Sequence, residues 1–377
     1  MDFDEGIFRL DQNQPFALES GLALPGAQIA YATYGTLDAE RSNAVLVCHA
    51  LTGHQYITES GGGSDERGWW SRMVGPGKPI DTDRYFVIGT NLLGGCNGSS
   101  GPASVNPETG KSYGIDFPFV TMGDMVRAQE LLVREHFGIS RLLAVVGGSA
   151  GGMQVLKWVE LFKDNVSAVM PIATAVAESA RNIAIHEVSR QAIMADPEWR
   201  EGRYRDEGTV PRMGLSVARM AAHINYMAAE RISEKFGRTR TETQAPPTSF
   251  RQASFSVESY LHHHGRRFVD RFDANTYLYL TKAIDYFDLT CGGERPLAEA
   301  FRGSTARFCV ISFTTDEFHP PSSSREIVKA LNAGGLDVTY SDIATVNGHD
   351  AFLLEEPELF DIVENFLAVT KAYYHHG

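Results

Sequence analysis

The chain has 377 residues, 43% of them hydrophobic and 21% charged, with a formal net charge of −13. That length can bury a sizeable core in one large or two modest domains. The acidic balance argues against nucleic acid as a partner, because neutralising phosphates needs clustered Lys and Arg. The opening residues MDFDEGIFRLDQNQ carry acids where a secretory signal needs a basic region and an apolar run, and no stretch approaches the ~18 apolar residues of a spanning helix. Cys48, Cys96, Cys291 and Cys309 are far apart and lack metal-site spacing. The expectation is a cytoplasmic chain with reduced thiols, no metal, no permanently bound cofactor and no membrane contact.

In chain order, Ala44–Cys48 (AVLVC) and Tyr85–Gly89 (YFVIG) read as short buried strands. Met122–Phe137 has apolar residues at helical spacing, stopped by Gly138, and Leu142–Val146 (LLAVV) is again a strand, followed at once by Gly147. Strand, helix, strand predicts a mostly parallel sheet with helices on both faces. From 174 to 289 the pattern turns helical, as in Glu178–Met194 and Met213–Lys235, with polar stretches at 196–209 and 238–248. After Pro296 come the strand Ala306–Phe313, the helix Ser323–Ala333, the strand Val338–Ile343 and the helix Pro357–Thr370. The economical arrangement is an α/β core, 1–173 and 290–377, interrupted by a helical lid insertion, 174–289. Open α/β sheets bind ligands at the carboxyl edge that such a lid would cover.

Gly147-Gly148-Ser149-Ala150-Gly151 fits G-x-S-x-G. The pattern alone is weak, but a strand precedes it and a helix follows, the setting of the nucleophile elbow in an α/β-hydrolase fold. The strained turn needs small neighbours two places either side of the serine, and it exposes Oγ at a helix N-terminus that favours developing negative charge. A Gly-rich dinucleotide turn is the rival, and no G-x-G-x-x-G is present. The fold requires an acid and then a histidine downstream. Asp316 follows the strand Ala306–Phe313, and His349 follows Val338–Ile343, in the required order. His319 and Asp350 are too close to other members to replace them. His262, His263, His264, His375 and His376 read as surface histidines. The loop after Ala44–Cys48 should supply one oxyanion amide, with Leu51 the first choice, and Ala150 the other.

With these residues in hand, the sequence resembles the homoserine O-acyltransferases of methionine biosynthesis along nearly its whole length. The likeness is carried by CHALTG at Cys48–Gly53, GWW at Gly68–Trp70 and GPGKPIDTDRYFVI at Gly75–Ile88. NLLGGCNGSSGP at Asn91–Pro102, GLSVARMAAHINY at Gly214–Tyr226, FDANTYLYLTKAIDYFDL at Phe272–Leu289 and GHDAFLLE at Gly348–Glu355 extend it. The resemblance implies a ping-pong reaction in which Ser149 takes an acyl group from coenzyme A and the hydroxyl of L-homoserine removes it. It also implies that Arg219 binds the amino-acid carboxylate, Asp350 the ammonium, that Tyr226 lines the same site, and that Thr52 lies by the oxyanion hole. A guanidinium fork suits a carboxylate. Members are commonly dimeric, and Met220, Ile224, Met227 and Ile232 offer apolar lid surface for a homodimer. Three departures bear on specificity: Ala150 stands where methionine is usual, Gln55–Arg67 differs from the usual short segment, and Phe318 stands where succinyl-using members tend to have arginine. The last favours acetyl-CoA as co-substrate. Succinyl transfer, a serine acceptor and plain ester hydrolysis are the alternatives.

Overall fold

The computed structural model describes residues 1–10, 14–59, 68–241, 249 and 254–375. Eight strands form the main sheet: β1 (Phe3–Arg9), β2 (Gln28–Tyr34), β3 (Ala44–Cys48), β4 (Phe86–Thr90), β5 (Leu142–Gly148), β6 (Val166–Ile172), β7 (Arg307–Phe313) and β8 (Val338–Ile343). Their order is β1-β2-β4-β3-β5-β6-β7-β8, and β2 alone runs against the others. The sequence reading is right in class, and the α/β-hydrolase arrangement follows. Every residue of β3, β5 and β6 is buried. Central parallel strands are covered on both faces, so they read as unbroken apolar runs. Alternate residues feed two cores. Val145 joins the side closed by the helices α1 (Met122–Leu131) and α2 (Ala150–Phe162), while Ala144 and Val146 join the side closed by Trp70, Met73 and the C-terminal helix.

After β6 the described residues form the helices α3 (Ala180–Met194), α4 (Arg212–Tyr226), α5 (Ala229–Phe236), α6 (Ser256–Val269) and α7 (Ala274–Asp285). A bridge between Ala177 and Asp288 draws the two ends of this insertion together. The chain then passes the short α8 (Leu297–Ala300), β7, α9 (Pro321–Ala333), β8 and α10 (Pro357–His375). Among the described residues no helix is long and apolar enough to cross a membrane, and all four cysteines are free.

Two helices differ from the periodicity. The segment expected as one helix to Phe137 is α-helical to Leu131 and closes in a wider π turn, Leu132–His136. The helix expected over Met213–Lys235 breaks after Tyr226, where Met227 is extended (ψ 137°). The cause is tertiary. Gly348 packs into the break, and a Cβ on it would lie 2.5 Å from the Ala228 nitrogen and 2.8 Å from the Tyr226 carbonyl. The loop that carries His349 therefore takes the space a continuous helix would fill. Within the expected specificity loop Gln55–Arg67, residues 60–67 lie outside the described residues, as do 242–248 of the polar stretch at 238–248, and His376.

Candidate active site

Ser149 ends β5 and caps α2 with φ 58° and ψ −125°, a left-handed backbone that costs a β-carbon residue of order 1–3 kcal/mol. Packing enforces it. A Cβ on Gly151 would stand 2.2 Å from the Cys48 carbonyl oxygen, and one on Gly147 would stand 2.6 Å from the Gly151 carbonyl. Gly148 is pressed by the Phe352 ring and Gly152 by the Thr174 side chain. The Ser149 amide donates to Ile172 at the end of β6 (2.9 Å), and its carbonyl accepts from the Thr174 hydroxyl (2.8 Å). Small residues on both sides of Ser149 are thus steric requirements, as the sequence pattern suggested.

His349 Nε2 lies 2.7 Å from Ser149 Oγ, and His349 Nδ1 lies 2.7 Å from Asp316 Oδ2. The other carboxylate oxygen of Asp316 accepts the backbone N–H groups of Phe318 and His319, each at 2.8 Å. His349 and Asp316 are both buried. A carboxylate so oriented accepts Nδ1–H and leaves Nε2 free to take the serine proton. The three residues picked from sequence order therefore meet in a single hydrogen-bonded row. The Trp70 indole, from the GWW segment, holds the far side of the His349 loop by donating to the Phe352 carbonyl (2.7 Å).

Leu51 and Ala150, the expected oxyanion donors, are buried beside the elbow. The loop bearing Leu51 is fixed from beneath by residues the sequence reading passed over. His49 lies with Nδ1 2.6 Å from its neighbour's carbonyl at Ala50, and Nε2 accepts from the Leu92 amide (3.3 Å). This places the proton on Nδ1, and burial holds His49 down to about 4, so the ring is neutral. Gln154 of α2 donates to the His49 carbonyl (3.0 Å), and Gln129 of α1 donates to Gln154 (2.8 Å). Trp158 closes the chain by donating to Gln129 (2.8 Å). Gln154 and Gln129 are buried, and a buried amide without partners costs several kcal/mol, so this network resists rearrangement. A Gln at i+5 from the elbow serine on an otherwise apolar helix face was the available signal.

The substrate-side candidates come from the insertion and the His349 loop. The Tyr226 ring packs edge-on to Phe318 (centroids 5.2 Å) and against His349 (5.6 Å). Burial pushes the Asp350 carboxyl up, while the charges of His349 and Arg219 pull it down. Arg219 lies over the Phe268 ring at 5.0 Å, and Arg271 lies over the same ring at 5.1 Å. Among the described residues neither guanidinium is in an ion pair. Arg271 also donates to the Thr52 carbonyl (3.3 Å), so Thr52 stands between the oxyanion loop and this basic pair. Asp350 thus feels the charges of both His349 and Arg219. His264 departs from expectation: it is half-buried, its ring tilted against those of Tyr260 (centroids 4.3 Å) and His223 (4.5 Å), because α6 packs on α4. Among the described residues no cluster could hold a metal ion.

A family model of the alpha/beta hydrolase fold matches residues 43–355. The homoserine O-acetyltransferase of Rhodopseudomonas palustris is 56% identical over 361 residues, 96% of this chain and 90% of that protein. That of Mesorhizobium japonicum is 52% identical over 361 residues, 96% and 92% of the two chains. Among solved structures, homoserine O-acetyltransferase from Bacillus anthracis matches with a TM-score of 0.88 at 29% identity, over 97% of this chain and 98% of that one. The esterase E22 matches with a TM-score of 0.86 at 28% identity, over 97% and 100%. With likeness at this level running from end to end of the chain, and with the elbow where the fold demands it, the chain belongs to the homoserine O-acetyltransferase family of α/β-hydrolase enzymes.

Proposed function

We propose that the enzyme moves an acetyl group from acetyl-CoA to the side-chain hydroxyl of L-homoserine, through an acetyl ester on Ser149, as a step of methionine biosynthesis. The row Ser149–His349–Asp316, closed at 2.7 Å on both sides of the imidazole, carries the reading. Ser149 Oγ attacks the thioester carbon as His349 Nε2 takes the hydroxyl proton, and Asp316 steadies the imidazolium. The amides of Leu51 and Ala150 receive the oxyanion. Collapse breaks the C–S bond, and His349 returns its proton to the leaving thiolate. The homoserine hydroxyl then gives its proton to His349 and attacks the ester, and Ser149 leaves with that proton. Arg219 holds the acceptor carboxylate, Asp350 its ammonium, and Tyr226 and Thr52 shape the walls. No cofactor stays bound.

Phe318 supports acetyl over succinyl. It is buried against His349 (centroids 4.9 Å), where an apolar ring gives a second carboxylate no partner. Ester hydrolysis is the second reading, favoured by the likeness to esterase E22. Both are tested by thiol release from acetyl-CoA, with and without homoserine. Transfer requires release that depends on homoserine and yields O-acetylhomoserine; equal release in its absence would establish hydrolysis. Succinyl-CoA and serine in parallel reactions define the donor and acceptor. A homodimer through the lid also belongs to the proposal. Met213 (74% exposed), Val217 (42%) and Ile224 (52%) form an apolar stripe on α4, while Met220, Met227 and Ile232 are half-buried. A cytoplasmic setting accords with the four free thiols.

A further inference from the structure

His319 is buried three residues after Asp316, and its backbone and ring bond to three separate groups. Its backbone N–H donates to Asp316 Oδ1 (2.8 Å). Its ring Nδ1 lies 2.9 Å from the Ala173 carbonyl, and its Nε2 lies 3.1 Å from Glu178 Oε1. Both partners are acceptors, so both ring nitrogens must carry protons and the ring is a cation. Glu178 supports this: His319 holds its carboxyl low against the opposing effect of burial, and Glu178 in turn holds the imidazole up. Glu178 takes a further hydrogen bond from Asn182 (2.6 Å), which also donates to the Phe318 carbonyl (2.9 Å).

The three anchor points belong to different parts of the fold. Ala173 follows β6 with φ 47°, directly after the residue whose carbonyl receives the Ser149 amide. Glu178 lies on the segment by which the chain leaves β6 for the lid. Asp316 lies on the turn after β7. The groups facing the imidazole are Glu178 from the lid root, Asp316 from its own turn, and the rings of His349 (5.1 Å) and Phe318 (4.8 Å). A buried ion pair is weak evidence of stability, since desolvation offsets its attraction. Its value here is geometric, because a turn held at three points cannot swing the carboxylate away from His349.

We propose that His319 is a positioning residue for Asp316: clamped between the Ala173 carbonyl and the Glu178 carboxylate, it locks the acid turn to the end of β6 and to the lid root. The inference rests on the reading of Ser149, His349 and Asp316 as a triad, but not on the identity of donor or acceptor. A test can therefore use p-nitrophenyl acetate, whose first-turnover burst of nitrophenol reports Ser149 acylation. His319→Gln and Glu178→Gln, each normalised to the acetyl-enzyme counted by mass spectrometry, should acylate about tenfold more slowly with KM within twofold of wild type. The double variant should be no slower than the slower single, since either change breaks the same clamp. Unchanged acylation in His319→Gln, additive losses in the double variant, or a rise in KM with kcat intact would each overturn the proposal. Should His319→Gln not fold, Glu178→Gln leaves the ring in place and decides alone. A wild-type enzyme inert to the probe would instead indict the triad reading itself.

Discussion

The sheet beneath Ser149 and the helical insertion beside it are held together by different means. Around the elbow the contacts are steric. Gly147, Gly148, Gly151 and Gly152 each face atoms that leave no room for a methyl group, and β5 and β6 are wholly apolar but for Ser167 and the glycines. In the insertion the buried contacts include charges. His186 and Arg190 of α3 converge on Asp285 of α7 at 2.6 and 2.7 Å, and Tyr204 and Arg205 converge on Asp273 at 2.5 and 2.9 Å. A site that must hold an oxyanion to a few tenths of an ångström is served by close packing. Under the proposed function the insertion recognises a charged acceptor, and polar groups whose pairing sets its conformation serve that task. Damage to the first should therefore appear in kcat, and damage to the second in KM or stability.

The largest effect separates chemistry from both. Ser149→Ala should lower turnover roughly 10⁴-fold or more while leaving the fold intact. Mass spectrometry after acetyl-CoA should show no acetyl-enzyme, and an adduct on another residue would refute the assignment. Next comes the steric core. Gly151→Ala places a methyl group 2.2 Å from the Cys48 carbonyl. It must displace the strand end that carries the Leu51 loop, so kcat should fall by about 10² with a smaller change in KM. Retained kcat would show that the oxyanion loop tolerates movement.

The insertion should respond differently. Arg219→Ala should raise the homoserine KM about 10- to 100-fold, the worth of one charge-assisted contact of about 1.5–3 kcal/mol, and leave the donor KM near wild type. Steady-state kinetics with each substrate varied in turn decides it, and unaltered acceptor kinetics would remove Arg219 from the site. Deeper in the insertion, Asp285→Ala removes the buried carboxylate shared by Arg190 and His186 and leaves Arg190 only the half-exposed Glu187. It should cost about 3–5 kcal/mol in urea unfolding, whereas Asp285→Leu combined with Arg190→Met should recover most of that loss. If the single and double variants are equally unstable, the cluster matters for its packing rather than its charge.

What was readable in advance follows the same division. The strands β3, β4, β5 and β7 announce themselves as short apolar runs, and Ser149, Asp316 and His349 are recoverable because the fold dictates their order along the chain. The strands β1, β2 and β6 were not read; FDEGIFR at the sheet edge and QIAYATY beside it are pinned by pairing with each other, and the latter with β4 as well, rather than by a strong local pattern. The break after Tyr226 was invisible, since Gly348 lies over a hundred residues away and imposes it through space. His49 and Gln154 were missed for a similar reason, each being a lone polar residue in an apolar stretch, and His319 was weighed only as a stand-in for a triad member. The meaning of all three lies in partners that only folding supplies. Arg219, Tyr226 and Asp350 were located by resemblance, because spacing alone gives an arginine on a helix no role.

The smallest effect tests whether the two regions answer acid alike. Burial depresses His49 and His54 to about 4 in the core, and burial aided by the charge of Arg219 depresses His223 to about 3 and His264 to about 4 in the insertion. An unfolded histidine titrates near 6.5, so between about pH 6.5 and 4 the unfolded chain binds more protons than the folded one. The stability these groups contribute is whole above about pH 6.5 and is lost as the pH falls toward 4. His319 runs the other way: its raised value contributes stability that is present below the unfolded value and fades as pH rises through the folded one. Tm should thus drop on moving from pH 7.5 to 5. His49→Gln should flatten that slope at any salt concentration, because its shift comes from burial. His264→Asn should flatten it more at low salt than at 0.5 M, because part of its shift comes from exposed cations that salt screens. Differential scanning fluorimetry across pH and salt distinguishes the two, and a salt response identical in both variants would erase the electrostatic difference between the core and the insertion.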